Sequence, residues 1–186
     1  MKYALTGGIG SGKSYVCRKL RDYGVEVFDC DASAKRLMRS SRQLQQQLSE
    51  AVGQDVFPDG QLDKAVLAQF LLASEANNRI INSIVHPAVA EDFRRSGMQW
   101  MESAILFEAG FQHHVDKVVC VSAPLEVRIK RVMQRDGISR EKALEWINRQ
   151  MPQEEKERLA DYVIVNDGIA DLDSQVEGLV KASREE

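Results

Sequence analysis

Eight residues near the start of the chain, Gly7-Gly8-Ile9-Gly10-Ser11-Gly12-Lys13-Ser14, follow the order G-x-x-x-x-G-K-[ST]. Each residue type in that order has a physical reason. Glycines let the backbone turn with its N–H groups pointing inward, which makes a concave nest for phosphate oxygens. A helix beginning at the end of the loop adds unpaired N–H groups and about half a positive charge. Lys13 offers a mobile ammonium to β- and γ-phosphates, and the Ser14 hydroxyl offers a magnesium ligand. The flanks agree with this reading. Lys2–Thr6 is a short apolar run that predicts a strand, and Lys13–Tyr23 places Val16 and Leu20 four apart on one helical stripe. Strand, glycine loop and helix in succession predict a site for nucleotide phosphates.

Further short apolar runs predict four more strands: Val25–Phe28, a third within Met101–Phe107, Lys117–Val121 and Tyr162–Val165. Runs of four to seven residues without alternation suit strands covered on both faces. Between and after them, Leu125, Ile129, Val132 and Met133 mark one helix, with Pro124 at its first turn. Leu172, Val176, Leu179 and Val180 mark another. This alternation predicts a three-layer α/β sandwich around a five-stranded parallel sheet. Asp31–Gly97 does not fit it, having helical spacing, turn signals at Phe57-Pro58-Asp59-Gly60 and no strand. That segment reads as a helical insertion facing the ligand crevice, and a second helix–turn–helix arm is expected around Asp136-Gly137-Ile138-Ser139. The expected division is a core of residues 1–30, 98–125 and 158–186, a substrate-binding insertion of 31–97 and a lid of 126–157.

Composition narrows the partners. A net charge of −3 over 186 residues is a poor footprint for a protein that binds nucleic acid. No apolar run exceeds four residues, so no membrane span is expected. The N-terminus enters the glycine loop at once, which predicts no cleaved leader. Three cysteines without a C-x-x-C pair predict neither disulfides nor a zinc site, and hence a cytoplasmic protein.

Candidate chemistry follows from what a phosphate loop requires. The sequence has neither the N-K-x-D and D-x-x-G motifs of a guanine-nucleotide switch nor an L-S-G-G-Q-like transporter signature, which leaves a small phosphotransferase. Asp29 and Asp31 end the second predicted strand, where two residues apart they would point the same way. Asp31 is then either a general base for an acceptor hydroxyl or the cap of the next helix. Glu108, after Ala104-Ile105-Leu106-Phe107, is either a strand-end acid near magnesium or a solvated loop residue. Residues 128–149 carry a local charge of +4 against −7 for the rest. Arg131 and Arg135 within it, four apart, are expected to close over phosphates from the lid. The pair His113-His114 reads as surface, and His86-Pro87 as the junction of two helices.

In order along the chain, these residues resemble the dephospho-CoA kinase family. The resemblance runs through Leu5–Ser14, Asp29-Cys30-Asp31, Asp59-Gly60 with Leu62-Asp63, Asn82 with His86-Pro87, and Leu106-Phe107-Glu108. It continues through Arg131 with Arg135, Gln150, and Ala160–Asn166 with Gly168. It implies a P-loop NTPase core like that of nucleoside monophosphate kinases, and transfer of the ATP γ-phosphate to the ribose 3′-hydroxyl of dephospho-CoA, the final step of coenzyme A synthesis. By residue it implies Asp31, Lys13 and Arg131 as catalytic groups. ATP would be held by Gly8, Gly10, Ser11, Gly12, Lys13, Ser14, Tyr15, Arg135, Asn166 and Gly168. Thr6, Asp31, Lys64, His86 and Glu108 would meet the substrate, with Mg2+ on Ser14 and the protein acting as a monomer. Two positions depart from the family pattern. Glu102-Ser103-Ala104 replaces an acidic-x-Pro start of the third strand, where only the strand end is expected to change. Lys64 stands where many members have Arg, and a lysine cannot form a bidentate clamp. Another small-molecule kinase of the same fold, or an ATP-sensing regulatory protein, is the competing expectation.

Overall fold

The computed structural model describes residues 1–185. A five-stranded sheet runs in the order β2-β3-β1-β4-β5, formed by β1 (Tyr3–Thr6), β2 (Val27–Asp29), β3 (Trp100–Glu102), β4 (Lys117–Ser122) and β5 (Tyr162–Val165). β1 pairs in parallel with β3 and β4, and β4 with β5. The register sets Leu5 beside Glu102, Thr6 beside Cys120, and Ser122 beside Val165, so these strands end on one edge of the sheet. Every residue of β1 is buried, as a central parallel strand requires.

Contacts divide the chain into two compact units, Met1–Phe28 with Met98–Glu186, and Asp29–Gly97. In the first, α1 (Lys13–Asp22) and α9 (Leu172–Glu185) bring Val16, Cys17, Leu20, Val176, Leu179 and Val180 to the sheet. They share a core there with Leu5, Val119, Val121 and Ile164, and Tyr3 stacks on Trp100 with ring centroids 4.5 Å apart. α8 (Gln153–Leu159) packs on β4. α6 (Leu125–Asp136) and α7 (Arg140–Asn148) pack together through Ile129, Val132, Ala143 and Ile147. The second unit contains α2 (Cys30–Ser40), α3 (Arg42–Val52), α4 (Lys64–Ala73) and α5 (Glu75–Ser96). α5 packs against the other three and buries Ile81, Val85, Val89, Ala90 and Phe93.

Several expectations are corrected. β2 stops at Asp29, whose carboxylate accepts the Ala32 amide at 2.9 Å and so caps α2. Asp31 therefore lies in the first turn of a helix, and the cap is Asp29. β3 ends at Glu102, because β1 beside it ends at Thr6 and leaves no strand to pair with. The chain from Ala104 to Gly110 instead folds into turns closed by Ala109 N–H to Ile105 O and Phe111 N–H to Leu106 O. His86 and Pro87 lie inside the 22-residue α5, since the buried stripe from Ile81 to Phe93 holds the helix together past the missing N–H of Pro87. Pro124 is the N-cap of α6, one residue before the first turn. Among the described residues, no helix is long and apolar enough to cross a membrane.

Candidate active site

The glycine loop joins the buried end of β1 to α1, and its backbone is set by close neighbours. Gly12 has φ +93°, and a Cβ built there would lie 2.1 Å from Asn166 Nδ2. At Gly8 a Cβ would come within 2.2 Å of the Arg128 guanidinium. A side chain is excluded at Gly12 by both conformation and space, and at Gly8 by space. The Ser11 amide bonds Gly8 O at 3.1 Å, and Tyr15 N–H to Gly12 O at 2.9 Å begins the helix. Among the described residues, the amides of Gly10, Gly12, Lys13 and Ser14 have no intramolecular partner. These are the orphan donors of a helix N-terminus and the turn before it, the arrangement that binds anions.

Lys13 is buried, and its ammonium donates to Gly7 O at 2.8 Å across the loop. Burial pulls its pKa below the ordinary lysine value, while the carboxylate of Glu102 acts in the opposite direction. An arriving phosphate would relieve that desolvation cost. Two buried hydroxyl oxygens, Thr6 Oγ1 and Ser11 Oγ, have no partner and lie in the same stretch of chain. Ser14, exposed in the first turn of α1, presents one hard oxygen. Among the described residues, no group of three or more His, Cys, Asp or Glu is arranged for a metal. A single hydroxyl suits Mg2+, which keeps several waters and binds mainly through substrate phosphates.

The arm from α6 to α8 grips the loop from outside. Arg131 donates long hydrogen bonds to Gly10 O (3.4 Å), Ser11 O (3.3 Å) and Asn166 Oδ1 (3.5 Å), and Asn166 Nδ2 donates to Ser11 O at 2.8 Å. Arg135 does not reach the loop. One turn farther along α6, it forms a fork on Asp136 with bonds of 2.7–3.1 Å. The residues missed from the sequence are Arg128, Gln153 and Glu102. Arg128, three residues before Arg131 and hence on the same helix face, is buried and donates from Nε to Ile9 O at 3.0 Å. That spacing was the available signal. Nothing in the sequence marks Gln153, which accepts the Gly8 amide at 2.8 Å beside Gln150, which accepts that of Ile9 at 2.7 Å.

The acid at the third strand's end is Glu102, beside Leu5 and felt by Lys13. Glu108, the expected candidate, is occupied elsewhere: its Oε1 accepts Met151 N–H and pairs with Lys156 Nζ, both at 2.9 Å. The reason is the early end of β3, which puts Glu108 in a turn. Tyr15 is exposed, with Arg18 and Lys19 over its ring at 5.3 and 5.1 Å. Gly168 sits at φ +91° after Asp167, whose carboxylate accepts the amides of Ile169 and Ala170 at 2.8 Å. In the Asp29–Gly97 unit, Asp31 is exposed and pairs with Lys35 at 2.5 Å. There Lys64 is exposed at the first residue of α4, behind Asp63 as cap. His86 is half-buried, and burial lowers its pKa, favouring the neutral ring.

A parallel sheet whose central strand feeds a lysine-bearing phosphate loop, with arginines on that loop, defines a P-loop kinase. Shikimate kinase from Acinetobacter baumannii shares this fold, with a TM-score of 0.54 at 14% identity over 99% of this chain and 93% of that one. A family model described as dephospho-CoA kinase matches residues 1–171. The dephospho-CoA kinase of Bacteroides fragilis (strain YCH46) is 41% identical over 191 residues, covering 97% of this chain and 91% of that protein. That of Carboxydothermus hydrogenoformans is 38% identical over 174 residues, covering 88% and 84%. TT1252 from Thermus thermophilus superposes with a TM-score of 0.82 at 33% identity, covering 98% of this chain and 97% of that one. The chain belongs to the dephospho-CoA kinase family, whose members are kinases of the last step of coenzyme A synthesis.

Proposed function

We propose that this chain transfers the γ-phosphate of ATP to the ribose 3′-hydroxyl of dephospho-CoA, giving ADP and coenzyme A. The observation that carries the reading is the row of unpartnered amides at Gly10, Gly12, Lys13 and Ser14 beside the buried Lys13 ammonium, in a chain of this family. In this reading the four amides donate to the β-phosphate oxygens, and the Lys13 ammonium exchanges Gly7 O for oxygens of the β- and γ-phosphates. Arg131 exchanges its long bonds to two loop carbonyls for the γ-phosphate, where charge builds as the bond to ADP breaks. Asp31 takes the proton from the 3′-hydroxyl as its oxygen attacks phosphorus in line. Ser14 would hold Mg2+, which when bound neutralises the phosphate oxygens. Gly8, Ser11, Tyr15, Asn166 and Gly168 complete the ATP site, and Thr6, Lys64 and His86 meet the acceptor. Glu108 and Arg135 receive no role, since each is committed to other partners.

The reading makes ATP and dephospho-CoA the partners of a cytoplasmic monomer that needs neither nucleic acid nor membrane. Three free, buried cysteines suit a reducing compartment. The test is ADP release measured with and without dephospho-CoA, on wild type, Asp31→Asn and Lys13→Ala. Release dependent on dephospho-CoA is expected. D31N should lose about 10²–10⁴ in kcat with ATP affinity within about twofold of wild type, and K13A should lose both affinity and turnover. Phosphorylation of a nucleoside monophosphate in place of dephospho-CoA would assign another kinase activity. Full turnover in D31N would remove Asp31 as base.

A further inference from the structure

Gln153 makes more contact with the phosphate loop than its place at the start of α8 suggests. It is buried, and its side-chain amide bonds backbone groups, a carboxylate and, from Nε2 at 3.4 Å, the Cys120 sulfur. Oε1 accepts the Gly8 amide at 2.8 Å, while Nε2 donates to Val121 O at 3.1 Å and to Glu157 Oε1 at 2.9 Å. The opposite amide orientation would set N–H against N–H and carbonyl against carbonyl, so this one is enforced. One residue along, Gln150 accepts the Ile9 amide at 2.7 Å, and Arg128 donates to Ile9 O at 3.0 Å. The first two peptide groups after Gly7 are thus turned outward, which leaves the inward donors to Gly10, Gly12, Lys13 and Ser14.

A run of glycines has little conformational preference of its own, and ordering it on binding would cost affinity. We propose that Gln153 is a positioning residue for ATP: by bonding Gly8 to the end of β4 it holds the loop in its phosphate-binding shape before nucleotide arrives. Gln150 and Arg128 secure the adjacent peptide. The inference rests on the loop being the ATP site and adds that its shape is set by the arm. A carboxylic acid at the position gives a specific test. Protonated, it keeps the bonds that join the loop to β4, its carbonyl accepting from Gly8 and its O–H donating to Val121 O, and gives up the bond to Glu157. Ionised, it faces Val121 O and Glu157 with no donor. Burial and Glu157 raise the pKa of such a group, while the Arg128 guanidinium, beside the same face of Gly8, acts against them.

Steady-state kinetics on the full chain, as wild type, Q153L, Q153E and K13A, test this. Leucine fits because Gln153 borders a cavity of 440 Å³ also lined by Arg128, Gln150 and Ile147. Q153L should raise KM for ATP about tenfold, the scale of one lost buried hydrogen bond, with KM for dephospho-CoA within about twofold. For Q153E, KM for ATP relative to wild type should lie near unity at about pH 6 and climb toward the Q153L value by about pH 8. A purely structural role would lower Tm in both variants and leave that ratio flat with pH. An unchanged ATP KM in Q153L, with K13A strongly impaired, overturns the inference and leaves the loop reading standing. An unimpaired K13A overturns both. If Q153L does not fold, the pH dependence of Q153E decides alone.

Discussion

Arg131 and Arg135 show how far a single helical turn separates two similar residues. Four positions advance about 6 Å along the axis, and this takes Arg135 from the loop carbonyls reached by Arg131 to the neighbouring carboxylate of Asp136. Arg131→Ala should therefore lower kcat by about 10³-fold or more at saturating substrates, the range of arginines that neutralise a transferring phosphoryl group. Arg135→Ala should change kcat by less than about threefold. Comparable losses in the two variants would show that Arg135 also reaches substrate. At this scale the loop itself was legible, because glycine, lysine and serine act there through their own backbone and side-chain chemistry. Arg128 was legible as a charge spaced to share a helix face with Arg131, and no further. Its burial against Ile9 depends on where α6 packs, which no local pattern encodes.

Between elements, the turn after β3 is pinned to α8 by one buried lysine. Lys156 is fully buried, donates to Ala104 O at 2.5 Å and pairs with Glu108 at 2.9 Å. The two partners are unequal, since Glu108 keeps about a quarter of its side chain exposed and Lys156 none. Glu108→Ala leaves a buried ammonium without its counter-ion and should cost about 3–5 kcal/mol of unfolding free energy. Lys156→Met removes the charge together with its need for a partner and should cost about 1–3 kcal/mol. Urea unfolding of both variants checks the order, and a larger loss in K156M would reverse the argument. β1, α1, β5 and α9 were readable because their apolar spacing is local. The end of β3 was not, because a strand stops where its neighbour stops. Continuation of α5 through Pro87 was hidden for a related reason: packing against three helices outweighs a local breaker.

Across the whole molecule, most ion pairs lie on the surface, and one shows how acid should act on it. Arg94 and Arg95 hold Glu91 on α5 at a pKa of about 2, below its ordinary 4.5. A carboxylate depressed in the folded state contributes stability above the unfolded value and loses it as pH falls through the folded one. The Tm difference between wild type and Glu91→Gln should hold steady above about pH 5, shrink between 4.5 and 2, and vanish below. All three groups face solvent, so the difference should be small and should weaken with salt. A Tm difference that persists at pH 2 would mean that Glu91 acts through packing.

The phosphate loop, the parallel α/β plan and the helical insertion could be read from the chain alone, because glycine geometry and apolar period act over a few residues, and the family from the resemblance of its motifs in order. It took the packed fold to set which acid ends β3, which arginine meets the loop, that Asp31 sits on a helix capped by Asp29, and that Gln153 bonds Gly8. Those outcomes depend on bonds between residues up to 145 positions apart, where burial and partner geometry, rather than local preference, set the free energy.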